Sequence, residues 1–211
     1  MPNPFISQSE RDIRNAVVTR ARELWPDGRI IHELNVEHGQ VRADLAIVSP
    51  DHLLLVEIKS ERDTLSRLSN QLRHFHPVCH GIIVAAHERW CRGSKYPNSD
   101  IDPILRHAQS NALLWQFPEP EEKCGIRAWR APHTVDRPWS HRMLRLLWTE
   151  ELQRLGEAHG LKAKRAAGYK LADELALRLP GQVVEQAVCA ALRARPFAEA
   201  DDPIASTHHA A

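Results

Sequence analysis

An α/β fold around a mixed sheet is predicted by three observations. An amphipathic helical stretch is followed by three short apolar, strand-like runs, Arg29–Val36, Val41–Val48 and His52–Lys59. A strand–helix–strand step over His52–Ala86 then calls for a parallel pair, right-handed by the usual crossover rule. From Ser140 onward the apolar spacing is helical.

Each element has a local reason. Ser7 and Glu10 form a capping-box pattern, and Ile13, Val17, Ala21 and Leu24 repeat at helical spacing, so a first helix is expected from about Ser9 to Trp25. Pro26-Asp27-Gly28 ends it, and His38-Gly39 and Ser49-Pro50-Asp51 separate the three strands. Asp63 or Thr64 is expected to cap a second helix running to about His76, with Leu65, Leu68, Leu72 and Phe75 as its apolar stripe. Pro77 stops it, and Gly81–Ala86 reads as a buried strand. Beyond His87, Arg89–Asp102 reads as loop and Ile104–Gln109 as a short helix. Ala112–Phe117 and Gly125–Arg130 read as a late hairpin around Pro118–Lys123, with Ala131–Pro138 as linker. Three helices follow, His141–His159, Ala166–Leu179 and Gln182–Arg195, and the tail Phe197–Ala211 is expected to be disordered. The implied organisation is a core over 1–118, a hairpin strand and linker over 119–139, a helical appendage over 140–196 and a tail over 197–211.

Bulk composition bounds the function. With 43% hydrophobic and 26% charged residues among 211, the chain is of ordinary globular character. Its 28 Lys and Arg balance 27 Asp and Glu, so an anionic partner must be met by a local patch. The four cysteines (Cys79, Cys91, Cys124, Cys189) show no CxxC spacing, and no secretory leader is apparent, which points to reduced thiols and a cytoplasmic protein. No apolar run approaches the roughly 18 residues that span a bilayer, so no membrane partner is expected.

The chemistry concentrates on Asp44 and on Glu57-Ile58-Lys59. Two carboxylates and an amine lie in or beside apolar strands, where charges must be paired or bound to a metal. Glu57 and Lys59, two apart on a strand, share a face. A hairpin of Val41–Val48 with Leu53–Lys59 brings Asp44 to them, making a small carboxylate pocket for a divalent cation.

The order of elements, with Asp44 and then Glu57-Ile58-Lys59, resembles the PD-(D/E)XK nuclease superfamily. Ala43 stands where the motif's proline would be. Glu57-Ile58-Lys59-Ser60, Asp63-Thr64, Arg67-Leu68 and Gln71 are similar to a group of bacterial and phage nuclease-like proteins with the pattern EIKSxxDTxxRLxxQ. The likeness is specific over Asp44–Gln71 and faint elsewhere, though it extends to Leu146-Leu147-Trp148 and the later helices. It implies a restriction-endonuclease-like core and Mg2+-dependent hydrolysis of DNA phosphodiesters, with Mn2+ as a substitute. Mg2+ takes oxygen ligands and keeps several waters, so Asp44, Glu57 and the Ile58 carbonyl suffice at minimum. Lys59 would orient the attacking water or stabilise phosphate charge, an electrostatic role that suits an ammonium between carboxylates better than a base role. The superfamily's further acid is assigned to Glu33, with Glu10 as competitor. Gln71, with Phe75, resembles the helical Gln motif of some relatives, and Arg67 on the same face is a phosphate contact.

Plainer readings stand beside these. Asp44, Glu57 and Lys59 have a cross-strand ion network at a sheet edge as their lesser alternative, since strands rarely set acid and base beside such an apolar run; Glu33 reads also as a solvent-facing glutamate, Arg67 and Gln71 as an exposed helix face, and Asp63 as a helix cap. His74, His76, Cys79, His80, His87 and Cys91 match no closed zinc spacing. The basic run Lys162-Ala163-Lys164-Arg165, with Lys170, is either a phosphate-tracking patch or a solvated loop. The six tryptophans are expected in the core or at interfaces. Two other functions are compatible with the residues. One is a nucleic-acid-binding module with dormant or partner-activated cleavage. The other is an assembly or regulatory protein, a homodimer or a complex, docking through its C-terminal helices. Endo- or exonuclease action, strand preference, and a repair, defence or mobile-element setting stay open.

Overall fold

The computed structural model describes residues 7–91, 112–121, 128–132 and 136–204. Helix α1 (Gln8–Leu24) starts where Ser7 Oγ accepts the Glu10 amide. The Glu10 carboxylate turns to Arg14 instead of closing a capping box. Strands β1 (Arg29–Val36), β2 (Val41–Val48) and β3 (Leu53–Lys59) follow as an antiparallel meander. Helix α2 (Leu68–Phe75) leads to β4 (Gly81–His87), which lies parallel to β3. The sheet is mixed and runs β1-β2-β3-β4-β5, closed by β5 (Ala112–Phe117) parallel to β4. Four helices complete the fold: α3 (Ser140–Leu144), α4 (Thr149–Ala158), α5 (Gly168–Arg178) and α6 (Gly181–Ala194).

The sheet divides two cores. On one face α1 buries Ile13, Val17 and Ala21 against Ile30, Leu45, Ile47, Leu54, Val56 and Ile58, with Trp115 and Trp129 beside them. On the other, α2 and α3–α6 share one core with Ile31, Val48, Leu53 and Leu55. Val184, Val188 and Leu192, the apolar face of α6, are spent inside this core.

Several expectations are corrected. Asp63 does not cap α2; it accepts the Ser60 amide and hydroxyl and fixes the turn after β3, so α2 begins only at Leu68. Ala112–Phe117 is a strand and pairs in parallel with β4; its expected hairpin mate, Gly125–Arg130, lies only partly among the described residues. Residues 128–130 are not strand and 125–127 lie outside the described residues. The Ile104–Gln109 helix also falls outside them. His141–His159 is two helices, because the chain turns over Arg145–Trp148 before α4. Residues 197–204 are ordered, not a free tail: Ala200 bridges Ile31, the Glu199 carbonyl accepts the His32 amide, and Asp201 accepts the Ile30 amide. Two tryptophans leave the core, Trp139 being 60% and Trp148 53% exposed. No helix among the described residues is long and apolar enough to cross a membrane.

Candidate active site

The site grows from an irregularity in the first hairpin. Pairing of β1 with β2 holds at His32↔Leu45 and Leu34↔Ala43 but skips the rung between, Glu33 with Asp44. Strict alternation would keep Ile31 and Leu34 on opposite faces, and Ala43 and Leu45 on the same face. Instead Ile31 and Leu34 share the core beneath α2, while Ala43 lies there and Leu45 lies under α1. Both strands therefore reverse facing at this rung, and Glu33 adopts φ 56° to do it, an uncommon backbone for a non-glycine residue.

Beyond Leu45↔Val56 the β2–β3 ladder stops. Asp44 Oδ2 replaces it by accepting the Ile58 amide at 2.6 Å. This carries the Asp44 carboxylate to β3, where Glu57 and Lys59 stand on the α2 side of the sheet. Lys59 Nζ donates to Glu57 Oε1 at 2.6 Å and to Gln71 Oε1 at 3.2 Å, and Gln71 Nε2 donates to the same Glu57 Oε1 at 2.6 Å. Asp44, Glu57, Ile58, Lys59 and Gln71 thus meet in one cleft of about 450 Å3, also lined by Glu10, Arg42, Asp63, Arg67 and Asn70.

Electrostatically the two carboxylates are held against their preference. Burial, then the charge of Glu57, pushes the Asp44 carboxyl well above its ordinary range, against the Ile58 amide and Arg14. Burial also raises Glu57, opposed by Lys59 and Gln71. Because both donors use Oε1, Glu57 Oε2 is buried without a hydrogen-bond partner. A desolvated carboxylate with an unused oxygen, beside a second one, fits a divalent cation. No group of three or more His, Cys, Asp or Glu among the described residues is placed to hold a metal. A divalent cation there would draw on the Asp44 and Glu57 carboxylates and the Ile58 carbonyl, with waters for the remainder, as Mg2+ tolerates.

Glu33 is not brought into this set. Its Oε1 takes Arg14 at 3.0 Å and its Oε2 takes Arg42 at 2.6 Å. Arg14 is the residue that sequence reading missed. Buried on α1, its guanidinium donates to the Asp44 carbonyl at 2.8 Å and to Glu10 at 3.1 Å, and lies 3.5 Å from Asp44 Oδ1. The one signal for it was the i,i+4 spacing of Glu10 and Arg14 beside buried Ile13. Lys162, Lys164, Arg165 and Lys170 are exposed around the α4–α5 connection and do not line the cleft. Cys79, Cys91 and Cys189 are buried.

No curated protein and no solved structure matches the chain. The family described as bacteriophage P4 protein cII does match, over residues 5–208 of the 211 that carry both the sheet with its carboxylate cleft and the helices behind it, and the chain belongs to that family.

Proposed function

We propose that this chain is a metal-dependent deoxyribonuclease of the PD-(D/E)XK type, working in a reducing, cytoplasmic setting. The observation that carries the reading is the pair of half-buried Asp44 and buried Glu57, both raised in pKa, sharing a cleft with Lys59 and leaving Glu57 Oε2 unpartnered. A merely structural ion network would instead pair every carboxylate oxygen.

Asp44, Glu57 and the Ile58 carbonyl would hold Mg2+, which supplies an acidified water and Lewis-acid stabilisation of the phosphate. Glu10, which lines the cleft and has one arginine partner in Arg14, would complete the site in preference to Glu33 with its two. Gln71 holds Lys59 and Glu57 in register, so that the ammonium faces the same space as the carboxylates. There Lys59 orients the attacking water and neutralises charge growing on the phosphoryl oxygens. The water gives up a proton to solvent as its oxygen bonds to phosphorus, the bond to the leaving sugar oxygen breaks, and that oxygen takes a proton from solvent. Arg67, exposed on the cleft wall, binds an adjacent phosphate.

The test is cleavage of linear, nicked, circular and single-stranded DNA with Mg2+ or Mn2+, beside Lys59→Ala. Metal-dependent products that fall by roughly a hundredfold or more in the variant are expected. A folded, metal-binding parent that cuts none of these substrates would overturn the nuclease reading in favour of a binding module with dormant cleavage.

A further inference from the structure

A second cleft of about 690 Å3 lies on the other side of the β1–β2 turn. His38 lines it, while Gly39 and Gln40, the next two residues, line the carboxylate cleft. Consecutive Cα atoms are about 3.8 Å apart, so the two clefts share the turn as a common wall. Across from His38 stand Trp148 and Tyr169, which are 53% and 61% exposed.

Trp148 is not loose. The Arg195 guanidinium lies 4.4 Å from its ring centroid. Arg195 is itself buried, hydrogen-bonded to both oxygens of Glu151 and to the Leu146 carbonyl. Trp148 lines the cleft with Tyr169 and also, together with Arg195, a separate cleft against α6. Arg145, on the wall of the latter, reaches Asp173 only at 3.9 Å, and its Nε has no hydrogen-bond partner. Glu150 at the rim is exposed and is the acidic group lining it. Just past the cleft, Lys170 follows Tyr169, and Lys162, Lys164 and Arg165 project from the preceding connection.

We infer that this second cleft binds unpaired bases of single-stranded DNA, stacked on Trp148 and Tyr169 with the backbone met by Arg145 and the Lys162–Lys170 run. Rigid exposed rings flanked by cations suit a single strand, because every base offers a stacking face while a duplex hides its own. Continuity through the turn makes the cleft an extension of the carboxylate site. In that respect the inference rests on the nuclease reading and gives it a substrate class, a duplex end or gap carrying a single-stranded tail.

The experiment measures fluorescence anisotropy of labelled oligo(dT), and of a blunt duplex of equal length, with EDTA present so that no cleavage occurs. The parent is expected to bind oligo(dT) better than duplex, with salt-sensitive affinity. Trp148→Ala and Tyr169→Ala are each expected to weaken it by roughly five- to a hundredfold, and Trp148→Phe to retain most of it. Tyr169 is the safer probe, since its side chain is largely outside the core and circular dichroism verifies the fold of each variant. Oligo(dT) binding unchanged in folded Tyr169→Ala and Trp148→Phe,Tyr169→Ala proteins, or no preference over duplex, would overturn the inference. Aromatic-dependent binding by a parent that never cleaves would sink the nuclease reading alone; cleavage with aromatic-independent binding would sink this one alone.

Discussion

At the scale of residues, Arg14 organises the site although it carries no motif. One guanidinium holds the Asp44 carbonyl and binds the carboxylates of Glu10 and Glu33. Removing it leaves three acids crowded together at a half-buried rung, so Arg14→Ala is expected to cost about 3 kcal/mol by chemical denaturation. In an Asp44→Asn background the loss should be smaller, because one of the repelling charges is gone. Asp44 itself is held at the expense of stability. Its carboxyl and that of Glu57 are raised above their ordinary values of 3.8 and 4.5, so the folded chain binds more protons than the unfolded one from about pH 4 upward. Stability from this pair is therefore greatest at low pH and falls as pH rises through the raised values. Asp44→Asn keeps an acceptor for the Ile58 amide but carries no charge. With EDTA at neutral pH it should be more stable than the parent by about 1–3 kcal/mol, with a higher melting temperature, and its stability should decline less as pH rises. An Asn variant melting below the parent would refute the strained-pair description.

At the scale of elements, the edge of the sheet is closed by the end of the chain. Residues 199–201 pair with β1, and Arg22 holds Asp201 at 2.7 Å. Arg29, 1% exposed, donates to the carbonyls of Leu192, Arg193 and Arg195 at the C-terminus of α6 and to Asp201. A guanidinium there satisfies carbonyls that the helix cannot. Arg29→Ala strands several buried acceptors, at about 1–3 kcal/mol each, and a melting temperature lower by roughly 10 °C is the expected result. Deleting residues 198–211 should uncover the β1 edge and appear as aggregation in light scattering. Composition misled here, since an Ala- and acid-rich tail reads as disorder until Asp201 finds Arg22 and the Ile30 amide.

At the scale of the whole molecule, α3–α6 complete the core that α2 only begins. A chain cut before Ser140 would expose Ile31, Val48, Leu53 and Leu55. It is expected to be insoluble or to lack a cooperative unfolding transition, and a monomeric, cooperatively folding 1–139 fragment would contradict the shared core. Metal binding should couple to protons in this cleft: Mn2+ affinity by calorimetry should rise from pH 5.5 to 7.5 with proton release, and Asp44→Asn should reduce that dependence, leaving the share carried by Glu57. Local pattern alone placed α1, the first four strands and the parallel step, because apolar spacing and turn residues act within a few positions of themselves. The same pattern singled out Asp44, Glu57 and Lys59, since charges beside a buried strand must be paired or bound, while Gln71 came from the family resemblance. Tertiary structure decided the rest. It reversed both strands at Glu33 and Asp44, committed Glu33 to two arginines, recruited Arg14, paired β5 with β4, and set Trp148 at the edge of a second cleft. Each of these depends on partners far away in the chain, and strand or helix periodicity holds no record of them.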